Sequence, residues 1–202
     1  MESKIKKLTK LSLDIIRTYG LSYYLHVAIE ELENQKLDLL RGGDAESRQR
    51  NKEVTKSNAE KLKKKLSKKL TKVYLVKGDL SKELDLKKIV KFCKRKLKYF
   101  DCLINNASLF ENDKLENFTI DSWGKHLRTN LRAPAYLSKN FAKNIRGKNN
   151  NIINIIDQRV FKLTPFFFFY TKSKVGLFTL TKTNAFSLPP KIKGNGIAPG
   201  PN

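Results

Sequence analysis

Cysteine is nearly absent: Cys93 and Cys102 are the only two in 202 residues, and no CxxC pair or Cys/His cluster exists. Neither a zinc site nor a disulfide framework is expected, no metal is assigned, and a reduced, cytoplasmic setting fits best. Histidine is as scarce, and His26 and His126 read as isolated surface or core residues. Long apolar runs are missing too. The densest knot, Phe166 to Phe169, is far too short to cross a bilayer, and no apolar segment follows the charged start MESKIKKLTK. No membrane partner is expected. Acidic residues number 19 against 42 Lys and Arg, for a formal charge of +23. Such a surface can hold nucleic acid through phosphate contacts. No nucleic-acid motif accompanies it, so a solvated Lys-rich surface is the preferred reading and nucleic acid is not an expected partner.

What remains is a globular composition, 40% hydrophobic and 30% charged, in a length that suits one domain. Residues 1–50 read as an amphipathic helical segment, with Ile5, Leu8, Leu11, Ile15 and Ile16 at helical spacing and the pattern continuing from Leu21 to Leu40. Arg41 to Asp44 breaks it, and Ala45 to Lys56 forms a polar linker. From about residue 57 the style changes. Ser57-Asn58 can cap a Lys-rich helix through Lys69, whose cations read first as a solvated face.

Val73 to Val76, Phe100 to Ile104, Asn151 to Ile156 and Gly194 to Ala198 read as short strands. Between them lie helices at Leu86 to Tyr99, Trp123 to Ile145 (bent near Pro134) and about Phe169 to Leu188. Alternating strands and helices imply an α/β domain with a parallel sheet, whose ligands bind beyond the carboxyl ends of the strands. Asp79, Asn105-Asn106 and Asp157 each follow one of these strands.

Tyr170 and Lys174 are four residues apart. On a helix they share a face, and a nearby cation favours phenolate over phenol. A tyrosine tuned in this way can exchange a proton near neutral pH. Asp157 ends a strand 13 residues upstream of Tyr170, and Asn130 sits in the preceding long helix.

These residues, in this order and spacing, make the chain from about residue 57 to 202 resemble the short-chain dehydrogenase/reductase family. Its NNAG-type motif corresponds to Asn105-Asn106-Ala107-Ser108, its helix asparagine to Asn130 and its YxxxK to Tyr170 and Lys174. Its N-x-x-PG element corresponds to Asn195 through Pro199 and Gly200, with Gly194 where a branched residue is commoner. Asp79, followed by Leu80, matches the acidic residue at the adenine ring. The resemblance implies a Rossmann-like, doubly wound parallel sheet that is incomplete here and preceded by the helical segment. It implies hydride transfer from NADPH, with Tyr170 as general acid/base, Lys174 lowering its pKa and holding the nicotinamide ribose, and Asn130 holding a relay water. Asp79, Leu80, Asn106, Ala107, Ser108, Lys174, Pro199, Gly200 and Ser57 would contact the cofactor, Ser57 through the 2′-phosphate.

Asp157 stands where most of the family has serine, as it does in pteridine reductases. A pterin, or a related carbonyl or imine, is the substrate this implies, and a homo-oligomer the assembly. Two departures stand against that reading. The family's TGxxxGxG start finds no counterpart, since Gly20 is alone and Gly42-Gly43 follows no strand, and the chain stops at Pro201-Asn202 where members usually continue. The alternative is a catalytically impaired remnant that serves only as a binding or oligomerising module.

Overall fold

The computed structural model describes residues 24–29, 60, 64, 73–97 and 99–199. Five parallel strands carry the fold: β1 (Tyr24–Ile29), β2 (Val73–Gly78), β3 (Cys102–Asn105), β4 (Asn150–Ile155) and β5 (Ile192–Ile197). They fall into two sheets, β1 beside β2 and β3-β4-β5. Among the described residues no strand is hydrogen-bonded to both, and the sheet they form is incomplete.

β1 corrects the sequence reading, which made this stretch helical. Its aromatic and β-branched residues suit a strand, and six parallel pairs from Tyr24↔Val73 to Ile29↔Gly78 give it a partner that helical spacing cannot reveal. Glu60 and Lys64 are helical, as expected of the Lys-rich segment. Ser57, Gly200 and the rest of residues 1–50 lie outside the described residues.

Helix α1 (Glu83–Lys96) packs Leu86, Ile89, Val90 and Cys93 inward and leaves its lysines outside. With Val76, Leu80 and Ala133, the side chains of Leu86, Ile89 and Cys93 form an apolar cluster that Tyr136 and Leu137 also cover. It joins the β2 side of the molecule to the β3 side. Burying Leu86 or Ile89 stabilises the fold by roughly 1.5–3 kcal/mol each. Gly78 lies close against this helix: a Cβ there would meet Ile89 Cδ1 at 2.8 Å and force that side chain to shift.

The expected long helix after residue 123 is three pieces: α2 (Ile120–Leu127), a π-helical turn at Arg128–Arg132, and α3 (Ala133–Ala142). The irregularity precedes Pro134 rather than falling on it. Pro134 has no N–H to give to the turn before it and its ring crowds that turn, so the backbone widens and Ala133 N–H bonds back to Arg128 O. Asn130, at the centre of the widened turn, is fully buried.

β4 is the middle strand of its sheet and is buried throughout. Such strands are commonly continuous apolar runs, yet this one contains Asn150, Asn151 and Asn154. Asn154 accepts from Asn105 Nδ2 across the strands at 2.7 Å and donates to Thr181 Oγ1 at 2.8 Å. Thr181 lies on α4 (Phe168–Ser187), which runs along the sheet to β5. Gly194 of β5 explains its departure from the family pattern: a Cβ there would stand 3.1 Å from the Ala185 backbone N of α4.

Candidate active site

The carboxyl ends of β3 and β4 and the first turns of α4 meet at one place. Asp157 follows β4 and begins a short 3-10 turn (Gln158–Val160), where its Oδ1 accepts the Arg159 N–H at 2.8 Å. The Tyr170 hydroxyl donates to Asp157 Oδ2 at 2.7 Å. Arg159 Nη1 stands 3.5 Å from the same oxygen. Its guanidinium lies over the rings of Phe110 and Phe167. Those two rings stack at 4.3 Å, and Phe110 meets the Tyr170 ring edge-on at 4.5 Å.

Lys174 is one helical turn beyond Tyr170, as the spacing requires, and is almost wholly buried. Its ammonium donates to Ile155 O at 2.7 Å, 5.7 Å from the Tyr170 ring centroid. Asn130 ties the loop after β3 to this helix. Its Oδ1 accepts from Leu109 N at 2.7 Å, and its Nδ2 donates to Leu109 O and to Ser173 Oγ. Both amide hydrogens are therefore taken, and a relay water on Asn130 would have to sit on the one remaining lone pair of Oδ1.

The phenol departs from expectation. Burial first, then the hydrogen bond to Asp157 and its charge, push Tyr170 above the ordinary tyrosine range, while Arg159 and the Ser108 hydroxyl pull the other way and do not win. The Lys174 ammonium, expected to lower it, donates to the Ile155 carbonyl of β4. A phenol in this state is a proton donor across the neutral range, not a resident phenolate.

Four residues of the expected catalytic set, Tyr170, Asp157, Lys174 and Asn130, are thus brought together. Ser108, assigned from sequence to the cofactor, stands within hydrogen-bonding influence of the phenol. Asn106 and Ala107 line the same loop, half-buried, and Ala107 packs against the apolar cluster. Pro199 is exposed beyond β5.

Asp79 and Leu80 lie apart, after β2. Leu80 packs in the core. The Asp79 carboxylate accepts from Ser81 N and Oγ and pairs with Lys82 at 3.5 Å. Burial raises its pKa, but the Ser81 bonds and the Lys82 cation outweigh that and leave it below the usual carboxylate value.

Sequence reasoning missed Arg159, Phe110, Phe167 and Ser173. Ser173 was within reach, three residues from Tyr170 on the same helical face. The others come together only through the fold. Burial pushes the Cys93 thiol up to about 11, and burial with the Asp101 charge pushes Cys102 up to about 12, so neither supplies a thiolate at neutral pH. Among the described residues no group of three or more His, Cys, Asp or Glu could hold a metal. No helix among them is long and apolar enough to cross a membrane.

The sequence profile of the short chain dehydrogenases matches residues 48–202. The chain belongs to this family. A 3-oxoacyl-(acyl-carrier-protein) reductase, FabG, of Buchnera aphidicola subsp. Baizongia pistaciae is 32% identical over 127 residues, 62% of this chain and 52% of the relative. The FolM alternative dihydrofolate reductase 1 of Brucella suis, solved in complex with NADP, superposes with a TM-score of 0.68 at 34% identity, covering 73% of this chain and 62% of that one. Its counterpart from Brucella canis, also with NADP, gives 0.66 at 34% identity, over 71% and 59%. This chain spans about half the length of the curated relatives it matches. It has the Rossmann-like α/β fold of that family.

Proposed function

We propose that this oxidoreductase reduces a pterin, or a related ring bearing a C=N or C=O bond, with NADPH. The observation that carries the proposal is the 2.7 Å hydrogen bond from Tyr170 to Asp157. A carboxylate beside the acid, where a serine is usual in the family, offers a route for the proton that a hydroxyl serves poorly. The stacked Phe110 and Phe167 rings beside the phenol suit a flat heteroaromatic substrate. NADP in the two similar Brucella structures, both named alternative dihydrofolate reductases, supports both halves of the reading.

The residues fit the nicotinamide end of such a cofactor. The buried Lys174 ammonium, a rare group in a protein interior, lies beyond the strand ends where ribose hydroxyls would need a donor. Lys174, Asn106 and Ala107 would hold that end, and Asp79 the adenine. The bound nucleotide supplies a hydride. Tyr170 gives its proton to the ring nitrogen or carbonyl oxygen as the adjacent carbon is reduced, and Asp157 relays the replacement proton. Asn130 holds the loop of Ser108 to Phe110 against α4. Exposed Ile120 and Trp123 on α2 and Val175 and Phe186 on α4 support burial against a second copy, in a cytoplasmic homo-oligomer.

Loss of NADPH absorbance with a dihydropterin, and in parallel with a ketoacyl substrate, tests the proposal. The native chain should consume NADPH with the pterin. Tyr170→Phe should lower turnover by about 10²–10⁴-fold, and Asp157→Ser should lower pterin turnover more than carbonyl turnover. Equal pterin turnover by Asp157→Ser would sink the substrate assignment. A folded native chain consuming no NADPH would leave the non-catalytic module in its place.

A further inference from the structure

The N-terminus of α4 is built unusually. Phe167, its N-cap, is in the left-handed region at φ 57° and offers no side-chain cap. The first turn would leave its N–H groups unpaired inside the protein, at a cost of about 1–3 kcal/mol for each group not satisfied. Asp113, 56 residues earlier in the chain, supplies what is missing. Its carboxylate accepts the Phe169 N–H, at 3.3 Å to Oδ1 and 3.4 Å to Oδ2, and its backbone O accepts the Phe168 N–H at 3.3 Å. The side chain is 7% exposed. A carboxylate at the positive end of the helix dipole is also favourably placed.

Asp113 belongs to the loop that leaves β3 and passes the site. Asn130 pins that loop at Leu109 through both backbone groups, and Asp113 pins it four residues later to the turn that carries Tyr170. Between the pins, Phe110 lies against Phe167 and Tyr170. On the outer side, Phe169 is held between Trp123, stacked at 5.3 Å, and Phe118, edge-on at 4.9 Å. Phe167 bends the chain into the helix, and Phe169 precedes Tyr170 directly. The rotation of that first turn decides where the phenol points.

We infer that Asp113 is a positioning residue for Tyr170: it caps the catalytic helix from another loop and thereby sets the phenol against Asp157. The inference rests on Tyr170 being the proton donor of the proposed reaction.

The test uses the full chain with ring-carbon-labelled tyrosine, the Tyr170 resonance being assigned by Tyr170→Phe, together with NADPH turnover on a dihydropterin. Asp113→Ala should move the Tyr170 resonance and lower kcat about tenfold or more, with KM for NADPH unchanged. Asp113→Asn, which keeps an acceptor for Phe169 N–H, should restore both. A merely structural cap would lower the unfolding midpoint of Asp113→Ala while resonance and kcat stayed native, and that result overturns the inference. If the alanine variant does not fold, Asp113→Glu moves the carboxylate by one methylene and is read the same way. The resonance answers even if the native chain turns over no pterin, so failure of the proposed reaction and failure of the positioning role remain distinct.

Discussion

The two ends of the molecule hold their functional residues by different means. Around Tyr170 the links are between distant parts of the chain and largely sealed from water: Asn130 to Leu109 and Ser173, Asn105 to Asn154, Lys174 to Ile155. The Asp79 carboxylate has only local, partly exposed links, to Ser81 and Lys82, and the one distant tie to its turn, from Arg132 to Ser81 O, is exposed. The difference teaches where this fold invests its precision. A buried polar network costs stability whenever one member is lost, so it fixes geometry. A local turn over an apolar cluster is stable but tolerant. The end proposed for proton transfer is built in the first way, and the end proposed to meet the adenine in the second.

Breaking the network should show this most clearly. Asn130→Ala orphans the buried Leu109 N–H and takes one hydrogen bond each from Leu109 O and Ser173 Oγ, which keep the Ser108 hydroxyl and Tyr170 O as partners. It should destabilise the protein by roughly 2 kcal/mol or more, read from the urea midpoint. A shift no larger than that of an exposed asparagine would erase the contrast. Asp79→Ala sharpens it from the other side. The turn should lose about 1 kcal/mol or less, because its partners remain in reach of water, while NADPH affinity should fall if the adenine reading holds.

Much of this organisation was legible in the sequence. Four strands and the helices on either side of them lie within a few residues of where the sequence places them: β2, β3 and β4 carry short apolar runs flanked by clear breaks, while in β5 only the terminal isoleucines are apolar. The order of Asn105-Asn106, Asn130, Asp157, Tyr170 and Lys174 carried the family and the cluster. β1 was not legible, since Tyr24–Ile29 sits in a stretch whose apolar residues also fit a helix and only the pairing with β2 decides between them. The break expected near Pro134 is there, as the widened turn at Arg128–Arg132 just before it. The titration of Tyr170 was inverted. Spacing puts Lys174 on the right face of the helix, but whether its ammonium turns to the phenol or to Ile155 O depends on β4, which spacing does not contain. Arg159 and the phenylalanine stack depend on a loop conformation with no periodicity at all.

That inversion is the centre of the account: burial first, and then the hydrogen bond to Asp157 and its charge, hold the Tyr170 phenol high. Because the folded phenol is raised, its contribution to stability is fully present below the ordinary tyrosine value of about 10 and is lost as the pH climbs beyond it. The direct measurement is an alkaline titration of the labelled Tyr170 ring carbon in the native chain and in Asp157→Asn. The account predicts that native Tyr170 remains protonated above pH of about 10, where an ordinary tyrosine is half ionised, and that Asp157→Asn moves its titration downward. Native Tyr170 ionising at or below that value, or an Asp157→Asn variant that titrates like the native chain, would contradict it.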